Sequence, residues 1–224
     1  MPGVTEPPDK LLDLIYDAAT EQELWTSALI QIADMTGSLG GFVVGVENKD
    51  RLVPFLFNGR MSEESHRTYA ERHIDNPWSA VMNHVPGGKL VQSAEIISLP
   101  DLKRTAFFDE VLRPQRMAHN AMLTLSRKGD FFGVFNICRS ERQGPFEEEI
   151  LRFFYKLCPH LKRSLLLGFR LDGATELLGD SRHQAVDVLD QLRQFNQAVP
   201  VEVAARQCIE HRVGEDAVAA VALP

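Results

Sequence analysis

At 224 residues, 44% hydrophobic and 25% charged, the chain is long enough for one well-buried domain with an appendage, or for two small domains. Its formal net charge of −7 argues against the chain alone gripping a nucleic acid backbone, which needs concentrated basic charge. The acidic, proline-rich start MPGVTEPPDK is no signal peptide, and no run approaches the roughly 18 apolar residues of a membrane span, so a soluble, cytoplasmic protein is expected.

Two helices open the chain. Leu11, Leu12, Ile15, Tyr16 and Ala19 recur at helical spacing, and Thr20 with Glu23 reads as a capping box that starts a second helix through Met35. TGSLGG ends that helix, and GFVVGVEN and LVPFLF read as a hairpin turning at NKDR. Ser62 caps a short polar helix that carries Tyr69. Asn76 and Pro77 then start another, since Asn is a good N-cap and Pro is favoured at the first helical position. KLVQS reads as a third strand, and LPDLKRTAFFDEVLRP as a helix burying Phe107, Phe108, Val111 and Leu112. NAMLTLS and FFGVFNICR flank RKGD as a second hairpin.

A long helix follows from Phe146 to Leu171, with Pro159 inside it. Its apolar stripe includes Ile150, Phe154, Leu157, Leu161 and Leu165, and it is wider than one surface face needs, which suits pairing with a second subunit. These five residues are the expected dimer interface. Residues 1–7 read as a disordered start and 8–172 as one domain. Residues 173–224 read as a helical or weakly ordered extension, a truncated or degenerate second domain. Antiparallel strands broken by helices imply an α+β fold with one central antiparallel sheet flanked by helices.

Enzyme signatures are missing. The sequence contains no HExxH, CxxC or GxSxG and no phosphate-binding glycine loop, so no catalytic residue, metal or cofactor is assigned. Cys138, Cys158 and Cys208 have no paired or metal-type spacing and read as reduced, buried thiols. What remains is a lining. The middle segment supplies Tyr69, Trp78, Met82, Phe107, Phe108, Leu112 and Met117, and the strands supply Phe42, Val44, Phe55, Phe57, Met122, Leu125 and Val134. Asp75, Arg116, His119 and Asn120 add a few polar groups. Many apolar residues with a handful of polar ones make either a small-molecule pocket or an ordinary core. Arg113 and Arg116 beside Pro114 read as a carboxylate clamp or as solvated turn residues.

Several of these stretches together resemble the GAF-like amino-terminal sensor domains of bacterial LuxR-type helix-turn-helix transcriptional regulators. They are Phe107 to Pro114, the following hairpin, Arg139 to Phe146, Pro159 to Arg163, and the segment ERHIDNPW. The resemblance covers about residues 8–170 and implies a GAF/PAS-like sensor fold with a long carboxyl-terminal helix. It also implies a small-molecule ligand and a homodimer, with DNA reached only through a helix-turn-helix domain, no stretch of which is recognisable after residue 170. The lactone-binding members carry an Asp-Pro pair with aromatic neighbours, which Asp75, Trp78 and Tyr69 are similar to, although Asn76 stands between Asp75 and Pro77. The expected ligand-binding set is Tyr69, Asp75, Trp78, Met82, Phe108, Arg116 and His119. The expected function is signal sensing coupled to dimer contacts, with a ligand-free dimerisation module acting through mixed dimers as the alternative.

Overall fold

The computed structural model describes residues 6–47, 53–73, 75–126 and 131–176. The expected start at 1–7 lies outside them except for its last two residues. The turns at NKDR and RKGD lie outside them, and so does nearly all of the 173–224 extension with Cys208. Helices α1 (Asp9–Asp17) and α2 (Leu24–Met35) lead into strands β1 (Gly40–Glu47) and β2 (Val53–Gly59). Helices α3 (Glu63–Arg72) and α4 (Pro77–Met82) follow, then β3 (Leu90–Gln92), α5 (Ser93–Ile96) and α6 (Leu99–Leu102). A π-helical turn, Phe108–Leu112, precedes β4 (His119–Ser126), β5 (Phe131–Arg139) and the long helix α7 (Glu148–Glu176).

The strands form one antiparallel sheet in the order β2-β1-β5-β4-β3, which is the α+β class expected from the sequence. Because side chains alternate along a strand, the sheet has two unlike faces. The first face carries Val43, Leu90, Leu123, Phe135 and Ile137, and it is covered by α1, α2 and α7. Trp25, Phe135, Phe153 and Phe154 are fully buried there, and burying each such side chain contributes roughly 1.5–3 kcal/mol. The second face carries Phe42, Met122, Val134 and Cys138, and it is covered by α4, α6 and the π-helical turn.

The first face is fastened by specific contacts. Ser164 Oγ donates to the Ile15 carbonyl, and the Tyr16 hydroxyl lies 3.0 Å from His160 Nδ1. Gly168 comes so close that a Cβ there would sit 2.9 Å from the Ala19 carbonyl oxygen. Arg139 ends β5 as a buried hub. Its Nη1 donates to Glu147 Oε2 (2.8 Å) and the Pro145 carbonyl (3.0 Å), its Nη2 to the Thr36 carbonyl (3.0 Å), and its guanidinium lies over the Phe146 ring. The Arg139 to Phe146 stretch thus joins β5, the end of α2 and the start of α7.

Four local expectations change. Thr20 caps nothing: its hydroxyl donates back to the Asp17 carbonyl, and α2 begins at Leu24 behind Glu23, which makes no side-chain cap. The single helix expected from LPDLKRTAFFDEVLRP is split into α6 and the π-helical turn, because Thr105 closes the first piece by donating to the Leu102 carbonyl. Helix α7 starts at Glu148 and runs through Pro159 to Glu176. Finally, Phe154, Leu157, Leu161 and Leu165 have essentially no accessible surface, because the sheet and α1 already cover them, and Ile150 is half-buried beside the same core. In this arrangement the four buried residues cannot meet a second subunit. The large apolar side chains that α7 exposes are Tyr155, Leu167 and Leu171.

Candidate functional site

The candidate site is the layer over the second face. Its entrance helix is set by local chemistry: Asn76 Oδ1 accepts from the Trp78 and Ser79 amides (3.0 and 3.2 Å), and Ser79 Oγ accepts from the Asn76 amide (3.0 Å). Asn76 Nδ2 donates to the His73 carbonyl at 2.8 Å. Capped in this way, with Pro77 at its first position, α4 begins where it does and turns Trp78 and Met82 inward. The Trp78 ring meets Phe107 edge-on at 5.2 Å, and Tyr69 and His73 flank the same phenylalanine at 6.3 and 5.9 Å. Burial pushes the Tyr69 phenol up, against a hydrogen bond with Asn76 that lowers it.

Beneath these rings the strands present polar groups among apolar ones. Asn120 Nδ2 donates to Asn136 Oδ1 at 3.2 Å, and Asn136 Nδ2 to the Val134 carbonyl at 3.2 Å. Burial pushes the Cys138 thiol up to about 12, so it stays protonated, and its Sγ donates to Asn120 Oδ1 at 3.7 Å. Trp78 Nε1, His66 Nε2 and Thr124 Oγ1 are buried with no hydrogen-bond partner among the described residues. Burial lowers the His66 pKa, so this ring is held neutral, and it lies edge-on to Phe42. The layer is also rich in thioethers, with Met61, Met82, Met117 and Met122, four of the chain's six methionines. Met side chains are flexible and repack readily, so a cavity can open here with little strain.

A clasp closes the outer edge. Arg72 Nη1 and His73 Nε2 both lie 3.1 Å from Glu110 Oε2, which ties α3 to the π-helical turn. These contacts, with the His73 hydrogen bond foremost, hold the Glu110 carboxyl below the usual range.

Of the expected ligand set, Tyr69, Trp78, Met82 and Phe108 come together in this layer. Asp75 does not. It is exposed, and the inward position beside it is taken by Asn76, whose side chain is committed to capping. Arg116 is exposed on the outer side of Phe108 and Met117. His119 shares its parity along β4 with Ala121 and Leu123, so it belongs to the first face. Phe57 and Leu125, read as lining, also pack on the first face, and the Phe55 side chain lies outside what is described. Phe107, read as lining, is the centre of the aromatic group, whereas His66, Thr124 and Asn136 were not singled out. For the last two the signal was present: Thr124 and Asn136 share the strand parity of Met122, Val134 and Cys138, where a polar residue is out of place. Among the described residues no group of three His, Cys, Asp or Glu side chains could hold a metal, and no helix is long and apolar enough to cross a membrane.

No family model and no curated protein matches the sequence. Solved structures do match. The ligand-binding domain (LBD) of VqsR from Pseudomonas aeruginosa superposes with a TM-score of 0.55 at 14% identity, covering 72% of this chain and 96% of that one. The N-acylhomoserine lactone dependent LuxR family transcription factor CepR2 from Burkholderia cenocepacia gives 0.47 at 16% identity, covering 71% and 95%. The GAF domain of the cyanobacteriochrome TePixJ gives 0.46 at 13% identity, covering 69% and 95%. At these identities the VqsR match establishes a shared fold.

Proposed function

We propose that the chain is a small-molecule signal-sensing domain of a LuxR-type transcriptional regulator, without enzymatic activity of its own. The ligand sits between the second face of the sheet and the layer formed by α3, α4 and the π-helical turn. Trp78 is the observation that carries this reading: its indole N–H is buried, with no acceptor among the described residues, in a methionine-rich layer. An unmet buried donor costs about 1–3 kcal/mol, and a ligand oxygen would recover it. Thr124 Oγ1 offers a second point of attachment from the sheet side. Tyr69, Met82 and Phe108 then supply apolar contact. The VqsR domain, whose fold the chain shares, supports the same assignment by its name.

Signal output is through a homodimer. Tyr155, Leu167 and Leu171 are the exposed apolar residues of α7, and they replace the buried stripe as its candidate contact surface. Tyr155 also accepts a hydrogen bond from the Leu90 amide of β3, whose next residue, Val91, packs on the ligand layer. Binding that shifts β3 would therefore shift the base of α7, and population shift between two such arrangements is the mechanism. DNA is reached only through a helix-turn-helix domain of a full-length regulator.

Native mass spectrometry of the freshly purified chain, followed by denaturing extraction, tests the reading. The expected result is a dimer carrying a small-molecule increment that is lost in the Trp78→Phe variant, which keeps the ring and removes the donor. A dimer without any increment, unchanged in mass by exposure to cell extract, would favour the ligand-free module acting through mixed dimers, which the close packing of Leu102, Met122 and Cys138 would suit.

A further inference from the structure

A cleft of about 240 Å³ opens on the outer side of the π-helical turn, against the outer flank of the layer described above. Phe108, Met117 and Ala118 make its apolar floor, and Arg113, Arg116 and Arg142 stand around it with Glu141. The charges divide into used and unused. Glu141 is held by Lys103 Nζ, 2.7 Å from both of its carboxylate oxygens, and Arg113 is held by Asp109 at 2.5 Å. Arg116 and Arg142 have no side-chain hydrogen bond or ion pair among the described residues. Two uncommitted arginines thus line one cleft in a chain whose formal net charge is −7.

Arg116 also occupies an unusual backbone position. Its φ of 59° lies in the left-handed region, at the close of the π-helical turn where the Met117 amide returns to the Leu112 carbonyl at 2.9 Å. Helix ends of this kind strongly favour glycine, because a Cβ is disfavoured there. An arginine in that place gives up backbone ease and brings a cationic residue to the lining of the cleft.

We infer that this cleft binds a small organic anion. Arg116 and Arg142 take its carboxylate or phosphate, and the Phe108–Met117 floor takes its apolar body. Planar guanidiniums match both anions in bidentate geometry. The volume lies just below that of drug-sized pockets, so the ligand is compact, of the size of an aryl or short-chain acid. The site shares Phe108 and Met117 with the Trp78 layer but uses none of Trp78, Thr124, Tyr69 or Met82, so either assignment can fail without the other.

Titration of the full chain with phenyl phosphate, benzoate, inorganic phosphate and neutral benzamide tests this, with the arginine Nε–Hε resonances followed by NMR. The Arg116 and Arg142 signals should shift saturably with at least one of the two aryl anions, and phenyl phosphate against benzoate tells which headgroup is preferred. Benzamide should leave them in place, and inorganic phosphate should bind about tenfold more weakly than phenyl phosphate for want of the floor. Arg116→Gly is the decisive variant. It relieves the left-handed residue, so its melting temperature should equal or exceed that of the parent while anion affinity falls about tenfold or more. Arg142→Gln should weaken binding similarly without affecting the fold. Saturation by neither aryl anion below about 10 mM, equal binding by inorganic phosphate, or undiminished affinity in Arg116→Gly would each overturn the assignment.

Discussion

On one side of the sheet Phe135 meets Phe154 at 5.6 Å, and Phe154 in turn meets Phe146 and Phe153, in a core of rigid rings and branched aliphatics. On the other side Met122 and Val134 share their surface with Asn120, Thr124 and Asn136, under a cover of helices four to ten residues long and one π-helical turn. The same strands make both. The first face is held by a 29-residue helix and by long-range contacts such as Ser164 to the Ile15 carbonyl. The second is held by capping bonds within short segments and by an exposed clasp at Glu110. The proposed sensing role would use this division, because a face that adapts to a ligand must be carried by one that does not.

The largest effect should therefore come from the rigid face. Phe154→Ala should destabilise by about 3–5 kcal/mol in denaturant unfolding, and a loss below that of Met82→Ala would break the comparison. Gly168→Ala comes next. Alanine gains about 1 kcal/mol of helix propensity, but its Cβ meets the Ala19 carbonyl oxygen at 2.9 Å, and overpacking costs about 1–3 kcal/mol. A small net loss of melting temperature is expected, where an exposed helical glycine would give a gain. On the adaptable face the sign reverses. Thr124→Val removes a buried hydroxyl with no partner among the described residues and should stabilise the ligand-free chain by about 1 kcal/mol, while weakening the binding of any small molecule extracted from it.

The smallest effect concerns pH. Its own backbone amide and Arg139 hold the Glu147 carboxyl below its ordinary range. A carboxyl lowered in the folded state lends stability above its unfolded pKa, and this is lost as pH falls through the folded value. Glu147→Gln should therefore flatten the decline of melting temperature below about pH 5 and change little at neutral pH. A variant as acid-sensitive as the parent would remove Glu147 from the fastening of the first face.

Both hairpins, the Ser62 and Asn76 caps and the alternation of the strands were legible in the sequence, since each depends on residues a few positions apart. Which side of the sheet a residue joins was not. Phe57 and Leu125 look like lining until register pairs Val43 with Phe57 and places both on the first face. The wide stripe of α7 carried a real signal that pointed to two partners within the chain, the sheet and α1, rather than to a second subunit. The expected ligand set divides in its placement for the same reason. Trp78 and Met82 follow from a local helix start, whereas the inward place beside Trp78 went to a capping Asn76, a competition that spacing alone does not decide.

The methionines of the second layer have a consequence in redox chemistry. Met61, Met82 and Met122 are buried away from the outer cleft, so peroxide can reach their sulfurs only when the layer parts. Each oxidation adds one oxygen and makes an apolar side chain polar, which would hold the layer open once it had formed. Met35, half-buried against the rigid face, provides an internal reference. The ratio of their oxidation rates, read by peptide mass, thus measures how often the layer opens, and whatever fills the layer should slow the three while leaving Met35 unchanged.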